Sequence, residues 1–207
     1  MRVLVPYDSR DPNTRLSSVL DARERRELAT VMRDDVLKVI EDAGHSPVVL
    51  ATEPVDLSYP ARVDDRPLSL AVNEALSEFS LPVAIVMADL ALATPTAIQR
   101  LFGKMTDVVL APGLGGGTNA ILVRDPDFRV DYHGGSYRKH REEARNCDAS
   151  VGVVDSFRLA VDVDEPGDLA EVLLHGRGNT PTWLREAGFE RDTSGGRTAI
   201  RRRDQRE

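Results

Sequence analysis

The chain has 207 residues, 41% hydrophobic and 29% charged, with a formal net charge of −7 and a pI near 5.2. That size and balance suit one soluble domain, residues 1–207, with a full-sized core. The acidity argues against nucleic-acid binding, because phosphate backbones are repelled unless a local basic patch compensates. The one dense basic run, Arg201-Arg202-Arg203, reads as a solvated tail. A single cysteine, Cys147, excludes an internal disulfide, and His45, His133, His140 and His175 are too scattered for a zinc site. The apolar run Val3-Leu4-Val5 is too short for a secretory signal and no stretch could span a membrane, so a cytoplasmic protein is expected.

Arg2 to Pro6 reads as a short buried strand, and the polar stretch from Tyr7 to Ser17 as a loop. Asp21 and Glu24 form a capping box for a helix in which Leu28, Val31, Met32, Val36, Val39, Ile40 and Ala43 recur at helical spacing, with Gly44 at its end. Val48 to Leu50 is a second strand, and Leu68 to Phe79 a shorter amphipathic helix. Pro82 to Met87 is continuously apolar, as a strand buried on both faces should be, and Asp89 lies just past its end. A helix from Pro95 to about Met105, strands at Val108–Leu110 and Thr118–Val123, and a helix from Ser136 to Arg145 follow. Strands at Val151–Val154 and Leu159–Val163 and a helix from Gly167 to Leu174 complete the pattern. From Gly176 onward the spacing allows a short helix around Trp183 and a hairpin turning at Ser194-Gly195-Gly196.

Alternation of strands and helices predicts a three-layer α/β/α fold with a mostly parallel, Rossmann-like sheet and a C-terminal hairpin extension over residues 176–207. A lone hairpin needs a surface, here expected to be a partner subunit, which makes a homodimer the expected assembly. In open sheets of this kind ligands sit beyond the carboxyl ends of the strands, where the first loop and Asp89 fall.

Three groups of residues carry chemistry. Asp162 and Asp164, two apart on the expected strand, would direct both carboxylates to one side, an arrangement suited to Mg²⁺ sharing phosphate oxygens. A strand with one wet face explains them equally. The four glycines between Gly113 and Asn119 can turn backbone N–H groups toward an oxyanion, with Thr118 adding a hydroxyl. Gly134-Gly135-Ser136 repeats that chemistry at a helix N-terminus, where Ser136 also reads as an ordinary N-cap. Arg10 and Arg15 are the cations of the first loop and can grip phosphate bidentately.

In this order, Val5-Pro6-Tyr7, Thr14-Arg15-Leu16-Ser17, Val72 to Leu76, Met87 to Leu90, Gly115 to Ala120, Gly135-Ser136-Tyr137, Asp162 to Pro166 and Leu174-His175-Gly176 cover nearly the whole chain. The ordered set resembles the 2-phospho-L-lactate guanylyltransferases of deazaflavin coenzyme F-420 biosynthesis. These are relatives of the molybdenum-cofactor guanylyltransferases with a nucleotide-diphospho-sugar transferase-like fold. The resemblance implies a nucleotidyltransferase that uses GTP and 2-phospho-L-lactate. It implies Mg²⁺ on Asp89, Asp162 and Asp164, with Arg10, Arg15, Asn73 and Asp89 around the nucleotide and Thr118, Gly135 and Ser136 around the acceptor. The family's first loop usually carries a Lys before Thr/Ser-Arg-Leu. Asn13 stands there in this chain, which leaves Arg10 or Arg15 to supply that charge. Phosphoenolpyruvate and 3-phosphoglycerate share the acceptor's carboxylate-plus-phosphate outline. A glycosyltransferase with an Asp-x-Asp metal site and a catalytically decayed nucleotide-binding subunit are the rival readings.

Overall fold

The computed structural model describes residues 1–196 and 198–203. A seven-stranded sheet is built from β1 (Arg2–Tyr7), β2 (Ser46–Ala51), β3 (Ala61–Val63), β4 (Val83–Val86), β5 (Val108–Pro112), β6 (Thr118–Val123) and β7 (Val151–Val153). Its order is β3-β2-β1-β4-β6-β5-β7, and only β6 runs antiparallel to its neighbours. From β1 the chain first builds outward through β2 and β3, then crosses to the other side of β1 to lay down β4. That crossing is the switch point at which open α/β sheets form a ligand crevice.

Residue alternation along the strands divides the core between two faces. Val3, Val5, Ala84, Val86 and Leu122 pack against Val36, Leu37 and Ile40 of α1 (Ala22–Asp42) and Ile98 and Leu101 of α3 (Pro95–Phe102). Leu4, Ile85, Leu110 and Ile121 pack on the opposite face against Val72, Ala75 and Leu76 of α2 (Leu68–Glu78) and Ala144 of α4 (Ser136–Asn146). The three-layer α/β/α prediction is thus realised. The Asp21–Glu24 capping box forms with both reciprocal bonds, an arrangement that contributes about 1 kcal/mol to a helix start.

The short α5 (Phe157–Ala160) lies against β5 and β6, with Leu159 in the sheet core. An annex on α1 follows it, made of α6 (Pro166–His175), α7 (Thr180–Glu186) and an antiparallel hairpin of β8 (Phe189–Asp192) and β9 (Ala199–Arg202). Leu28 and Met32 of α1 share one buried cluster with Val161, Val163, Leu169, Val172, Leu184 and Phe189. Two expectations change here. The hairpin finds its surface within its own chain, so it gives no argument for a partner subunit. The Arg201–Arg203 run is no loose tail, because Arg201 and Arg203 pair with Glu190, and Arg202 pairs with Glu24.

A third expectation, the strand over Leu159–Val163, is not met. Phe157–Ala160 is a helical turn, and the backbone groups a ladder would use go elsewhere. Leu114 N–H donates to the Ala160 carbonyl at 2.9 Å, and Val163 N–H donates to the Asp89 carbonyl at 3.2 Å. The alternation survives without the strand, with Val161 and Val163 buried and Asp162 and Asp164 partly exposed. Sequence reading also missed β3, three mostly exposed residues with no apolar signature.

Candidate active site at the carboxyl end of the sheet

Because β6 is antiparallel, its first residues, Thr118 and Asn119, lie beside the carboxyl ends of β4 and β5. The first loop leaves β1 at the same end and Asp89 follows β4. One strand reversal therefore gathers onto a single sheet edge segments that are up to about a hundred residues apart in sequence. Asn119 is the bridge that sequence reading missed. Its Nδ2 donates to the Leu159 carbonyl (3.0 Å), the Ala160 carbonyl (3.2 Å) and Asp162 Oδ1 (3.1 Å). Gly113 must be glycine to admit it, since a Cβ there would lie 2.6 Å from Asn119 Oδ1.

Asp89 is the most perturbed carboxylate of the site. Its Oδ1 is shielded from solvent and has no hydrogen-bond partner. Burial first, then the negative charge of Asp162 and more weakly those of Asp164 and Asp168, push its carboxyl up to about 7. Asp164 is held by Arg15 in a partly exposed ion pair, and its N–H donates to Asp168 Oδ2 at 3.1 Å. Among the described residues no three acidic, imidazole or thiol groups stand close enough to hold a metal alone. The donor set nevertheless suits a hard cation that takes only part of its shell from protein, because a buried unpaired carboxylate oxygen beside further carboxylates has an unmet need for positive charge.

The first loop walls a cavity of about 180 Å³ with Asp8, Asp11, Asn13, Met87, Ala88 and Asp89. A second cavity of about 290 Å³ opens on the other side of Tyr7 and Met87, between Thr52, Asp64, Arg66 and Ala71. Asn13 has a left-handed backbone (φ 51°), which Asn tolerates better than most residues, and its Nδ2 donates to the Val163 carbonyl at 2.7 Å. It therefore ties the loop to the Asp162–Asp164 segment. Arg25, also missed in the sequence, supports the loop from below. Almost buried, it donates to the Pro12 carbonyl at 3.2 Å and to Asp11 Oδ1 at 2.6 Å. Arg10 is exposed at the loop's outer edge.

Replacing Asn13 by Lys should lower kcat/KM several-fold rather than raise it. The tie to Val163 is lost, and a left-handed Lys costs about 1 kcal/mol. Steady-state rates and melting of the variant check this, and a faster Asn13→Lys enzyme would contradict it.

The two glycine segments meet as expected. Thr118 and Ser136 are buried, with Oγ atoms 3.5 Å apart, and Tyr137 N–H donates to the Gly116 carbonyl at 3.2 Å. Gly135 precedes α4 with φ 59°, a conformation that favours glycine. The structure gives Ser136 no role as an N-cap; Gly135 holds that position. Asn73 bonds to Val130 through both polar atoms, donating to its carbonyl (3.0 Å) and accepting from its N–H (2.8 Å).

Solved structures share this architecture. A candidate nucleotide-diphospho-sugar transferase from Desulfovibrio desulfuricans superposes with a TM-score of 0.73 at 17% identity, over 89% of this chain and 94% of the other. A nucleotidyl transferase from Methanothermobacter thermautotrophicus gives 0.62 at 12% identity, over 89% and 98%. The fold is thus nucleotide-diphospho-sugar transferase-like. Sequence comparison narrows the class. The family model described as "Guanylyl transferase CofC like" matches residues 1–206. The 2-phospho-L-lactate guanylyltransferase of Halomicrobium mukohataei is 57% identical over 98% of this chain and all of its own length, and that of Natronomonas pharaonis is 54% identical over the same shares. The chain belongs to the CofC-like guanylyltransferases.

Proposed function

We propose that the chain transfers GMP from GTP to 2-phospho-L-lactate, releasing pyrophosphate and forming lactyl-2-diphospho-5′-guanosine in coenzyme F-420 biosynthesis. The observation that carries this reading is the meeting of Asp89 and Asp162 with the Thr118–Ser136 cradle on one sheet edge, bridged by Asn119. Carboxylates on one side and hydroxyls and glycine backbone on the other suit two phosphorylated reactants laid end to end.

The acceptor's phosphate oxygen is already an anionic nucleophile, so no protein base has to activate it for attack on the α-phosphorus. What the protein supplies is position and charge. Thr118, Gly135 and Ser136 orient the acceptor. Arg10 and Arg15, the cations of the first loop, would meet the triphosphate, and Tyr7 and Met87, which line both cavities, would separate its phosphate end from its base end. Asp8, Asp11 and Asp89 make the inner cavity acidic, so a triphosphate enters it only with cations. Mg²⁺ held by Asp89, Asp162 and Asp164 would neutralise phosphate oxygens as charge builds on pyrophosphate. A Mycobacterium tuberculosis protein of this fold, with a TM-score of 0.51 and 14% identity, was solved as a complex with manganese, which agrees with divalent-metal use.

The test is pyrophosphate release with Mg²⁺ and GTP, run in parallel with 2-phospho-L-lactate, phosphoenolpyruvate and 3-phosphoglycerate, and with ATP replacing GTP. Release that requires GTP and 2-phospho-L-lactate is expected. Release with another acid alone would reassign the acceptor, and none with any pair would overturn the reading. Ser136→Ala should raise the acceptor KM about tenfold while moving the GTP KM less than twofold. Equal changes in the two constants would remove Ser136 from the acceptor side.

A further inference from the structure

His140, which neither the sequence motifs nor the reaction scheme uses, is fully buried on α4, one turn beyond Ser136. Its ring packs edge-on to Tyr132, with centroids 5.0 Å apart, and beside Phe128 at 6.1 Å. Both ring nitrogens are engaged. Asp131 N–H donates to Nε2 at 3.0 Å, and Nδ1 lies 2.9 Å from Thr118 Oγ1. A backbone N–H can only donate, so Nε2 must be the bare nitrogen. In a neutral ring the proton then sits on Nδ1, which donates to Thr118. Burial keeps the ring neutral by pushing its pKa down to about 4; the neighbouring Asp131 charge opposes that shift and the Lys139 charge adds to it.

Asp131 N–H is itself held in aim. Asn73 clamps Val130 on one side, the Ser69 hydroxyl accepts from Tyr132 N–H at 2.9 Å on the other, and the Asp131 carboxylate is tied to Lys139 and His133. The consequence falls on Thr118. Its oxygen accepts from His140 and, at 3.5 Å, from Ser136. Its own hydrogen is therefore not used by either neighbour and is left for a third group. An anionic oxygen is the acceptor that such a hydroxyl, beside glycine N–H groups, would serve.

We infer that His140 is a positioning residue that, with Asp131 N–H, fixes Thr118 as a hydroxyl donor toward the phosphate or carboxylate of the acceptor. The inference rests on the acceptor-side reading of Thr118 above.

Asn and Gln at position 140 separate the two halves of the relay. An Asn amide nitrogen overlays Nδ1 and can still donate to Thr118. A Gln side chain reaches the Nε2 position and can still accept from Asp131, but leaves Thr118 without its donor. With GTP and 2-phospho-L-lactate, His140→Gln should raise the acceptor KM about tenfold with the GTP KM changed less than twofold, and His140→Asn should keep the acceptor KM within about threefold. In the Thr118→Val background His140→Gln should add nothing to the acceptor KM. Equal effects on both KM values, or additivity with Thr118→Val, would overturn the proposal.

Nitrogen-15 spectra of the wild-type imidazole read the tautomer without turnover. Protonation at Nδ1 supports the relay, and protonation at Nε2 ends it even if the His140 variants do not fold. A wild-type enzyme inert toward 2-phospho-L-lactate, with Nδ1 protonated, would sink the acceptor assignment and leave the Thr118 donor in place for another anion.

Discussion

Asp162→Asn should abolish measurable turnover, with a loss of about a thousandfold or more, and leave the metal-free protein slightly more stable than the wild type. The substitution keeps the side chain's shape and the oxygen that accepts from Asn119, so the loop from Val161 to Asp164 stays in place. It removes the negative charge that, after burial, contributes most to holding the Asp89 carboxyl up near 7. The sign follows from linkage. A carboxyl whose folded pKa lies above its unfolded value costs native stability as pH rises from the unfolded value to the folded one, because over that range only the unfolded chain ionises it, so lowering the folded value removes only the upper part of the cost. Removing Asp162 eases that penalty above pH 7 and does little at pH 5.5, where native Asp89 is already neutral. In chelator, melting of the variant should rise by about 1–3 °C at pH 8 and stay close to wild type at pH 5.5. An active variant would end the assignment of Asp162 to the metal, and a variant less stable at pH 8 would refute the repulsion argument. A gain in stability with loss of catalysis is what an electrostatically strained site should show.

Asp89 and Asp162 were both legible as candidate ligands from the chain, but for different reasons. Asp89 followed from position, since an acid directly after a doubly buried strand lies at the crevice of a parallel sheet. Asp162 was assigned through a strand that does not exist. The alternation of Val161 and Val163 with Asp162 and Asp164 was correctly read as one apolar and one wet side. The apolar side is taken up by the annex helices, not by a neighbouring strand. Periodicity reports which residues are buried, and not what buries them.

The glycine segments were legible because glycine spacing is a local signal. Asn119, Arg25 and His140 were not, because each acts on residues of another element, as the Asn119 bonds to Leu159, Ala160 and Asp162 illustrate. Asn13 is the instructive middle case. The motif marked it as a departure from the family's Lys, and the fold turns that departure into a structural tie, since Asn suits the left-handed backbone and reaches Val163.

Asp35→Ala should be the most destabilising single change outside the site. Asp35 is a buried carboxylate on α1 that accepts from Asn179 N–H (2.8 Å), Thr180 N–H (2.8 Å) and Thr180 Oγ1 (2.7 Å). It thereby fixes the start of α7 to α1 and closes the annex over Val161 and Val163. The alanine leaves the buried Thr180 N–H and hydroxyl, and the part-buried Asn179 N–H, without their acceptor, at a cost of about 3–4 kcal/mol, which for a chain of this size lowers the melting temperature by about 8–12 °C. Gly178 is the counterpart. A Cβ there would lie 2.3 Å from Asp35 Oδ2, so Gly178→Ala drives the same carboxylate off its partners. Because each substitution breaks one shared contact, the Asp35→Ala/Gly178→Ala double variant should lose much less than the two single losses combined. Thermal melts of the three proteins decide it. A fall below about 3 °C for Asp35→Ala, or full additivity, would mean that α7 is held by its apolar contacts and not by this carboxylate. The site should also feel the change: with the annex loosened, Val161 and Val163 lose their backing. kcat of Asp35→Ala, measured well below its melting point, should therefore fall several-fold although Asp35 touches neither reactant.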